Sequence, residues 1–205
     1  MSGACILAAA PAANAQLTAP VATTTGTYQG LMNFQELPGD PASGVNVFFG
    51  IRYAQAPVST LRWKPPQAPN PGQGSIVAGT IGHTCTQGRQ TDSEDCLFLN
   101  VYTPSNANAN SNLPVFIWIH GGALVNGAGS DYDPSVMVAD NNIIVVTINY
   151  RLKSLGFLAA SVLAATKPAP SRTSATPATT VLWTSNSRWL GSRTTLRLSA
   201  ATRRR

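Results

Sequence analysis

The most informative absence in this sequence is the motif G-x-S-x-G, which occurs nowhere in its 205 residues. That motif places a nucleophilic serine on a sharp turn between a strand and a helix, so its absence excludes this common arrangement from the chain. Charged residues are also scarce, at 11%, whereas hydrophobic residues make up 43%. This balance excludes a charge-rich disordered chain and favours one domain with a buried core.

The sequence also lacks an apolar run of the roughly 20 residues that a transmembrane helix needs, so we expect no membrane span. Its net charge of +6 is unevenly distributed. Residues 1–166 carry six basic and all eight acidic residues, whereas residues 167–205 carry eight basic residues and no acid. No aromatic or glycine pattern of a recognition module surrounds the terminal RRR, so we also expect no nucleic-acid partner.

The N-terminus has features of a secretory signal. The segment ACILAAAPAANAQLTAP contains an apolar run followed by Ala13-Asn14-Ala15, which is typical of a cleavage site after Ala15. We therefore predict that residues 1–15 are a signal-peptide-like leader and that the protein is secreted. The alternative is a disordered, alanine-rich leader.

The cysteines are consistent with secretion. Cys5 would be removed with the leader, which leaves Cys85 and Cys96 with ten residues between them. In a secreted chain such a pair predicts a disulfide, although two free buried thiols are the alternative. Two cysteines alone do not indicate a metal site, so none is expected.

Hydrophobic patterning predicts alternating strands and helices. Strands are expected at 27–36, 44–53 and 96–102, and an irregular segment at 57–75. The runs VFIWIH at 115–120 and IIVVTINY at 143–150 are apolar without alternation, which is typical of strands buried on both faces. Between them, Asp133-Pro134 predicts the start of a short helix, PSVMVADNN, and hence a βαβ unit.

Four blocks, in order, resemble the type-B carboxylesterase/lipase family, the cholinesterase-like branch of the α/β-hydrolases. They are GIRYAQAPVSTLRWKPPQ (50–67), SEDCLFLNVYTP (93–104), PVFIWIHGGALVNG (114–127) and VVTINYRLKSLGFLA (145–159). Two differences from the family's pattern are Leu124, where an aromatic is usual, and Lys153, where glycine is common. The resemblance extends over roughly residues 20–160.

The resemblance implies an α/β fold, specifically an incomplete α/β-hydrolase fold made of N-terminal strands and the first part of a central mixed sheet. It implies that residues 16–166 are the N-terminal part of the domain and that no cofactor is needed. In the family, the glycine loop supplies an oxyanion hole. Here Gly122 and Ala123 would be the two donors, and Gly121 would permit the turn. A plain tight turn after a strand is the alternative.

Only two histidines are present, and neither matches the family's catalytic histidine, which follows the serine and the acid in the chain. His120 lies on the glycine loop and is expected to shape it, whereas His83 lies beside the Cys85–Cys96 loop. Glu94 belongs to a segment that is structural in the family. We predict that Glu94 pairs with Arg62 and anchors that loop to the core, although two solvated charges are the alternative.

Residues 167–205 do not continue the family's pattern and predict a disordered tail. A shifted reading frame offers a sharper interpretation. From Leu182 to Arg205 the codon table permits MDQQLALAWVKNNIAAFGGDPTT, which resembles the family block that precedes the serine turn. We therefore expect the frame to slip between about Val162 and Pro177, so that residues 167–205 are out of frame.

The sequence thus predicts part of a secreted hydrolase of small-molecule carboxylic esters that acts through a serine acyl-enzyme. The nucleophile, the acid and the catalytic histidine are not in this chain, so we expect the chain alone to be inactive. Two alternatives remain from the sequence. One is a non-catalytic, cholinesterase-like binding or adhesion domain, and the other is a non-functional product. A basic secreted binding protein would require the tail to be genuine peptide.

Overall fold

A computed structural model describes residues 16–34, 44–72 and 74–158. The predicted leader at 1–15 and the tail at 167–205 lie outside these residues. The described strands are β1 Val21–Thr23, β2 Gly26–Gln29, β3 Val45–Arg52, β4 Ser75–Val77, β5 Thr84–Cys85, β6 Asp92–Ser93, β7 Phe98–Pro104, β8 Val115–Ile119 and β9 Ile144–Ile148. The described α-helices are α1 Ser135–Asn141 and α2 Lys153–Phe157.

A mixed four-stranded sheet forms the centre of the described chain, with the order β3-β7-β9-β8. The strands β3, β7 and β9 pair antiparallel, whereas β8 and β9 pair parallel. A smaller sheet has the order β1-β2-β4, and β5 and β6 form a short parallel pair. The α/β architecture expected from the sequence is therefore present.

The parallel pair β8–β9 is connected through α1, as the predicted βαβ unit requires. Asp133 accepts hydrogen bonds from the Ser135 backbone N–H at 2.9 Å and from its hydroxyl at 2.6 Å. These bonds satisfy polar groups in the first turn, which explains why the helix begins here. At the other end, Asn142 adopts a left-handed conformation with φ 50°, which ends the helix.

The core lies on both faces of the central sheet. On one face Val146 and Leu99 pack with Tyr53, Leu97 and neighbouring side chains. On the opposite face Val145 packs in a second cluster whose other buried members are Val45, Val47, Phe49, Tyr102 and Val138. Because consecutive residues of β9 enter different clusters, β9 is covered on both sides, as its apolar run predicts.

The same prediction is wrong for β8. Phe116 is 43% exposed and Ile119 is 46% exposed. The reason is its position: β8 is at an edge of the described sheet and pairs only with β9 there. A second correction concerns the strand expected at 27–36, because β2 ends at Gln29 and Leu31 then forms only isolated bridges to Leu17 and Val47.

Candidate active site

The glycine loop, residues 120–127, follows β8 at the carboxyl end of the parallel strand pair. Its backbone turns sharply, because Val125 and Asn126 both donate from their N–H groups to the Gly122 carbonyl, at 3.0 and 3.1 Å. The conformation is unusual, since Ala123 and Leu124 have φ values of 53° and 65°. Left-handed backbone at a non-glycine residue costs about 1–2 kcal/mol, and such strain is concentrated at functional sites.

Two glycines of the loop are required by its geometry. Gly122 has φ 109°, and a Cβ there would overlap the carbonyl oxygen of Asn126. Gly127 has φ 108°, and a Cβ there would overlap Nδ1 of His120. Both positions combine a left-handed backbone with close neighbours, so a side chain at either would force the loop to move.

The loop leaves consecutive backbone donors unused. The N–H groups of Gly121, Gly122 and Ala123 donate to no acceptor within the described residues, whereas those of Val125 and Asn126 do. Neighbouring free N–H groups on a turn form a concave site that favours negative charge. The three residues predicted as oxyanion-hole components are therefore together on a turn whose first N–H groups are available.

His120 supports the start of this loop. Its ring is buried, stacks on Tyr150 with centroids 4.3 Å apart, and has Nδ1 2.8 Å from the Gly121 carbonyl oxygen. Burial lowers the pKa of His120, and this outweighs the opposing effects of the Gly121 carbonyl and Asp131. The ring is thus neutral near pH 7 and carries its proton on Nδ1, because a carbonyl can only accept.

The end of β9 holds the start of the loop from the other side. The Tyr150 hydroxyl donates to the His120 carbonyl at 2.8 Å, and Asn149 accepts from the Gly129 N–H at 2.8 Å. Asn149 also donates to the His83 carbonyl at 3.0 Å. His83 as a residue is exposed. Sequence reasoning missed both roles. The available signal was a polar pair directly after a buried strand, at the end where parallel strands place functional loops.

The disulfide loop, residues 85–96, packs against the glycine loop. A disulfide joins Cys85 to Cys96. Between them, Gln87 accepts from the Gly127 N–H at 2.8 Å and donates to the Gly127 carbonyl at 3.0 Å. The Gln87 amide thus bonds to both the N–H and the carbonyl of Gly127, as the backbone of a paired strand would. It also donates to the Cys85 carbonyl at 3.0 Å.

Arg89 makes a second contact between these loops. Its guanidinium forms a two-pronged pair with Asp131, at 2.7 and 3.0 Å. Asp131 also accepts from the Ala128 N–H at 2.9 Å. The hydrogen bond from Arg89 is the largest of several effects that lower the pKa of Asp131, and it outweighs the opposing effect of burial.

Two further ion pairs fix the base of the disulfide loop. Arg62 donates to Glu94 at 2.5 and 2.6 Å, so the structure brings the predicted pair together. Arg52 forms an equivalent two-pronged pair with Asp95, at 2.5 and 2.8 Å. The second pair was not anticipated, because the sequence does not show which arginine faces which of two adjacent acids.

An open pocket of about 400 Å³ lies beside the glycine loop. Its lining includes Gln87, Arg89, His120, Gly122, Asn126 and Tyr132. Among the described residues, no group of three or more His, Cys, Asp or Glu side chains could hold a metal ion. The same residues contain no helix that is long and apolar enough to cross a membrane.

Two solved esterases are similar to this structure. PNB esterase aligns with 73% of this chain at 39% identity and a TM-score of 0.62, over 30% of its own length. Aspergillus niger EstA aligns with 83% of this chain at 32% identity and a TM-score of 0.69, over 32% of its length. The fold and the loop therefore define part of an α/β-hydrolase domain.

Sequence comparison identifies the family. The model of the Carboxylesterase family matches residues 18–166, and the chain belongs to that family. An acylcarnitine hydrolase of Mus musculus is 41% identical over 152 residues, which are 66% of this chain and 27% of the relative. Cocaine esterase of Homo sapiens is 40% identical over 151 residues, which are 65% of this chain and 27% of the relative. The chain therefore spans about a quarter of the length of these relatives.

Proposed function

We propose that this chain is the N-terminal part of a carboxylic ester hydrolase and that its glycine loop is half of the oxyanion hole. In this proposal Gly122 and Ala123 donate their N–H groups to the oxyanion. The turn depends on Gly122 rather than on Gly121 as expected, because Gly121 has no left-handed φ and nothing lies within 4 Å of a Cβ built there. The observation that supports it is a strained turn whose consecutive N–H groups have no acceptor within the described residues. Unused, preorganised donors are what a developing oxyanion requires.

The reaction would proceed through an acyl-enzyme. A serine attacks the ester carbonyl, a tetrahedral intermediate places negative charge on the carbonyl oxygen, and the alcohol leaves; water then releases the acid. Loss of one oxyanion donor typically costs about 3–4 kcal/mol of transition-state stabilisation. The serine, its acid and its histidine base would come from the longer reading frame. The 205-residue chain alone would be inactive.

The substrate class is a small-molecule carboxylic ester, and the reaction needs no cofactor. The names of the relatives support this class, since an acylcarnitine hydrolase and a cocaine esterase both act on esters. The leader at 1–15 and the disulfide between Cys85 and Cys96 support secretion. Residues 16–166 would then be the hydrolase portion, and 167–205 the out-of-frame tail.

The test begins with the transcript across codons 155–205 and on to the next stop. The protein that this transcript encodes is then expressed and assayed for hydrolysis of p-nitrophenyl acetate and for labelling by a fluorophosphonate, which modifies activated serines. We expect a continuous shifted frame, hydrolysis and one labelled serine. The 205-residue chain is the control and should show neither. A transcript that keeps the printed frame to Arg205 would contradict the proposal.

A second function is a non-catalytic binding or adhesion domain, which a complete gene without G-x-S-x-G would favour. The same experiment separates the two. A longer product that contains no labelled serine and hydrolyses no ester, yet is secreted intact, would favour the binding domain.

A further inference from the structure

The glycine loop is held at both ends and left free between them. At its start, Tyr150 holds the His120 carbonyl. At its end, Gln87 holds both backbone polar groups of Gly127. The stretch 121–124 lies between these two points and contains the unused N–H groups. The position of those N–H groups therefore depends on two side chains from outside the loop.

The disulfide loop is shaped to present Gln87 and Arg89. The Asp92 carboxylate accepts from the backbone N–H groups of Gln87, Gly88 and Arg89, and from the Thr84 hydroxyl at 2.8 Å. Burial alone would raise the pKa of Asp92, but these hydrogen bonds outweigh it and lower the pKa to about 2. The carboxylate is thus ionised at neutral pH and closes the backbone of 87–89 into one turn.

The base of the disulfide loop is fixed independently. The disulfide closes it, and the pairs of Arg62 with Glu94 and Arg52 with Asp95 attach it to the neighbouring segments. Because the base is fixed and the tip is closed by Asp92, Gln87 and Arg89 have little freedom to follow the glycine loop. Contacts from a fixed element restrict the loop rather than move with it.

We propose that Gln87 and Arg89 are positioning residues for the oxyanion hole. Gln87 fixes the end of the glycine loop through Gly127, and Arg89 fixes the next residue, Ala128, through Asp131. The role rests on the proposed function, since it concerns the same N–H groups. Both side chains line the pocket, but the role proposed here acts through the backbone of Gly127 and Ala128, which continues into the residues that carry the donors.

The first test compares Gln87→Ala with Gln55→Ala in the protein that the complete transcript encodes. Gln55 is a matched control, because its side chain also donates to a backbone carbonyl, that of Ala68, at 2.9 Å, and it does not line the pocket beside the loop. We expect Gln87→Ala to lower kcat about 10-fold with KM changed less than about 2-fold. The reason is that the oxyanion forms mainly in the transition state, so a displaced N–H donor weakens binding of that state more than binding of the substrate. Gln55→Ala should leave both unchanged.

A transition-state analogue sharpens this test. A trifluoromethyl ketone forms an oxyanion on the serine, whereas the matching methyl ketone binds mainly without it. Gln87→Ala should weaken the trifluoromethyl ketone about 10-fold more than the methyl ketone. Equal weakening of both would show that Gln87 only supports the pocket, and it would overturn the proposal.

Hydrogen–deuterium exchange tests the positioning role without activity. The measurement uses the natural protein that the transcript encodes. It can be made in either reading frame, because the expected frame change lies after residue 158 and leaves residues 120–128 the same. Exchange in the peptide 120–128 should rise in Gln87→Ala and in Arg89→Ala, and should stay at the wild-type level in Gln55→Ala. Unchanged exchange at 120–128, or an equal rise throughout the chain, would overturn the proposal.

The two proposals fail in distinguishable ways. If the wild-type protein hydrolyses no ester but exchange at 120–128 rises selectively, the proposed function is wrong and the restraint by Gln87 and Arg89 stands. If the enzyme is active and neither kcat nor exchange responds to Gln87→Ala, the function stands and the positioning role is wrong.

Discussion

The adjacent parallel strands β8 and β9 have nearly the same hydrophobic character and different surroundings. In β9, Val145, Val146 and Thr147 are at most 2% exposed, whereas in β8 Phe116 and Ile119 are more than 40% exposed. β9 continues into buried Asn149 and Tyr150, and β8 into the largely exposed glycine loop. An apolar run thus indicates that a strand is to be covered, but not which part of the protein covers it. In this chain the buried strand β9 holds the glycine loop through Asn149 and Tyr150, and the edge strand β8 leads into that exposed loop.

The largest expected effect comes from placing a charge on each strand. Val146→Asp buries a carboxylate without a partner and should destabilise the 205-residue chain by more than about 4 kcal/mol. Phe116→Asp leaves its carboxylate near solvent and should cost about 1 kcal/mol. Pulse proteolysis in urea at low protein concentration measures both. Equal losses would show that β8 is as covered as β9.

The same two variants, Val146→Asp and Phe116→Asp, also test whether β8 stays exposed in the longer protein. In the product of the longer reading frame, we expect Phe116→Asp to become as damaging as Val146→Asp, because the added chain would cover β8. A cost that stays near its value in the short chain would show that nothing packs on this side of β8.

Substitutions that remove less of the side chain should also destabilise β9 more than β8. Val145→Ala removes two methyl groups from the cluster around Tyr102 and Val138 and should cost about 2 kcal/mol. Val115→Ala, at a residue 37% exposed, should cost under about 1 kcal/mol. The urea midpoints of the two variants, measured side by side, check the difference. A larger loss for Val115→Ala would contradict the assigned edge position of β8.

Tyr150→Phe tests the connection between the strands. It removes the hydroxyl that donates to the His120 carbonyl but keeps the ring stacked on the imidazole. We expect about 1 kcal/mol of lost stability, because the buried carbonyl loses its donor. Exchange should rise at Val125 and Asn126, whose N–H groups donate to the Gly122 carbonyl, and remain unchanged within β9. A uniform rise would mean that the hydroxyl serves the whole fold rather than the loop.

The smallest effect concerns pH. Burial lowers the pKa of His120 below its value in the unfolded chain, so between these two pKa values the unfolded state binds more protons. Stability supplied by this site is therefore full above the ordinary histidine pKa of about 6.5 and falls as the pH drops below it. His120→Gln should flatten the change in Tm between pH 7.5 and pH 5.5, whereas the exposed control His83→Gln should not.

Local patterns could predict much of the fold. The strands near 44–53, 96–102 and 143–150 and the helix after Asp133 follow from apolar runs and a capping residue, which act over a few neighbouring positions. The exposure of β8 could not be predicted, because it depends on which segments lie next to it in space. The same applies to the end of the 27–36 segment, where pairing with β4 stops at Gln29.

The site was predictable only in its central part. Glycines after an apolar strand identify the loop, because few residues tolerate its backbone. The contacts that hold it join residues far apart in the chain, such as Gln87 with Gly127, 40 positions apart, and Arg89 with Asp131, 42 positions apart. A single glutamine between two cysteines has no local pattern that separates a restraint on a distant loop from an ordinary surface residue.

The restraint by Gln87 has a consequence for how this loop can diverge. Within the glycine loop Gln87 bonds to the backbone of Gly127, and the side chains of Leu124 and Val125 are about half exposed. Substitutions at these two positions therefore alter the surface of the loop without touching the contacts that hold its main chain. A lineage could vary the shape and polarity of the loop's exposed surface while its main-chain geometry is inherited unchanged, so such changes would need few compensating mutations.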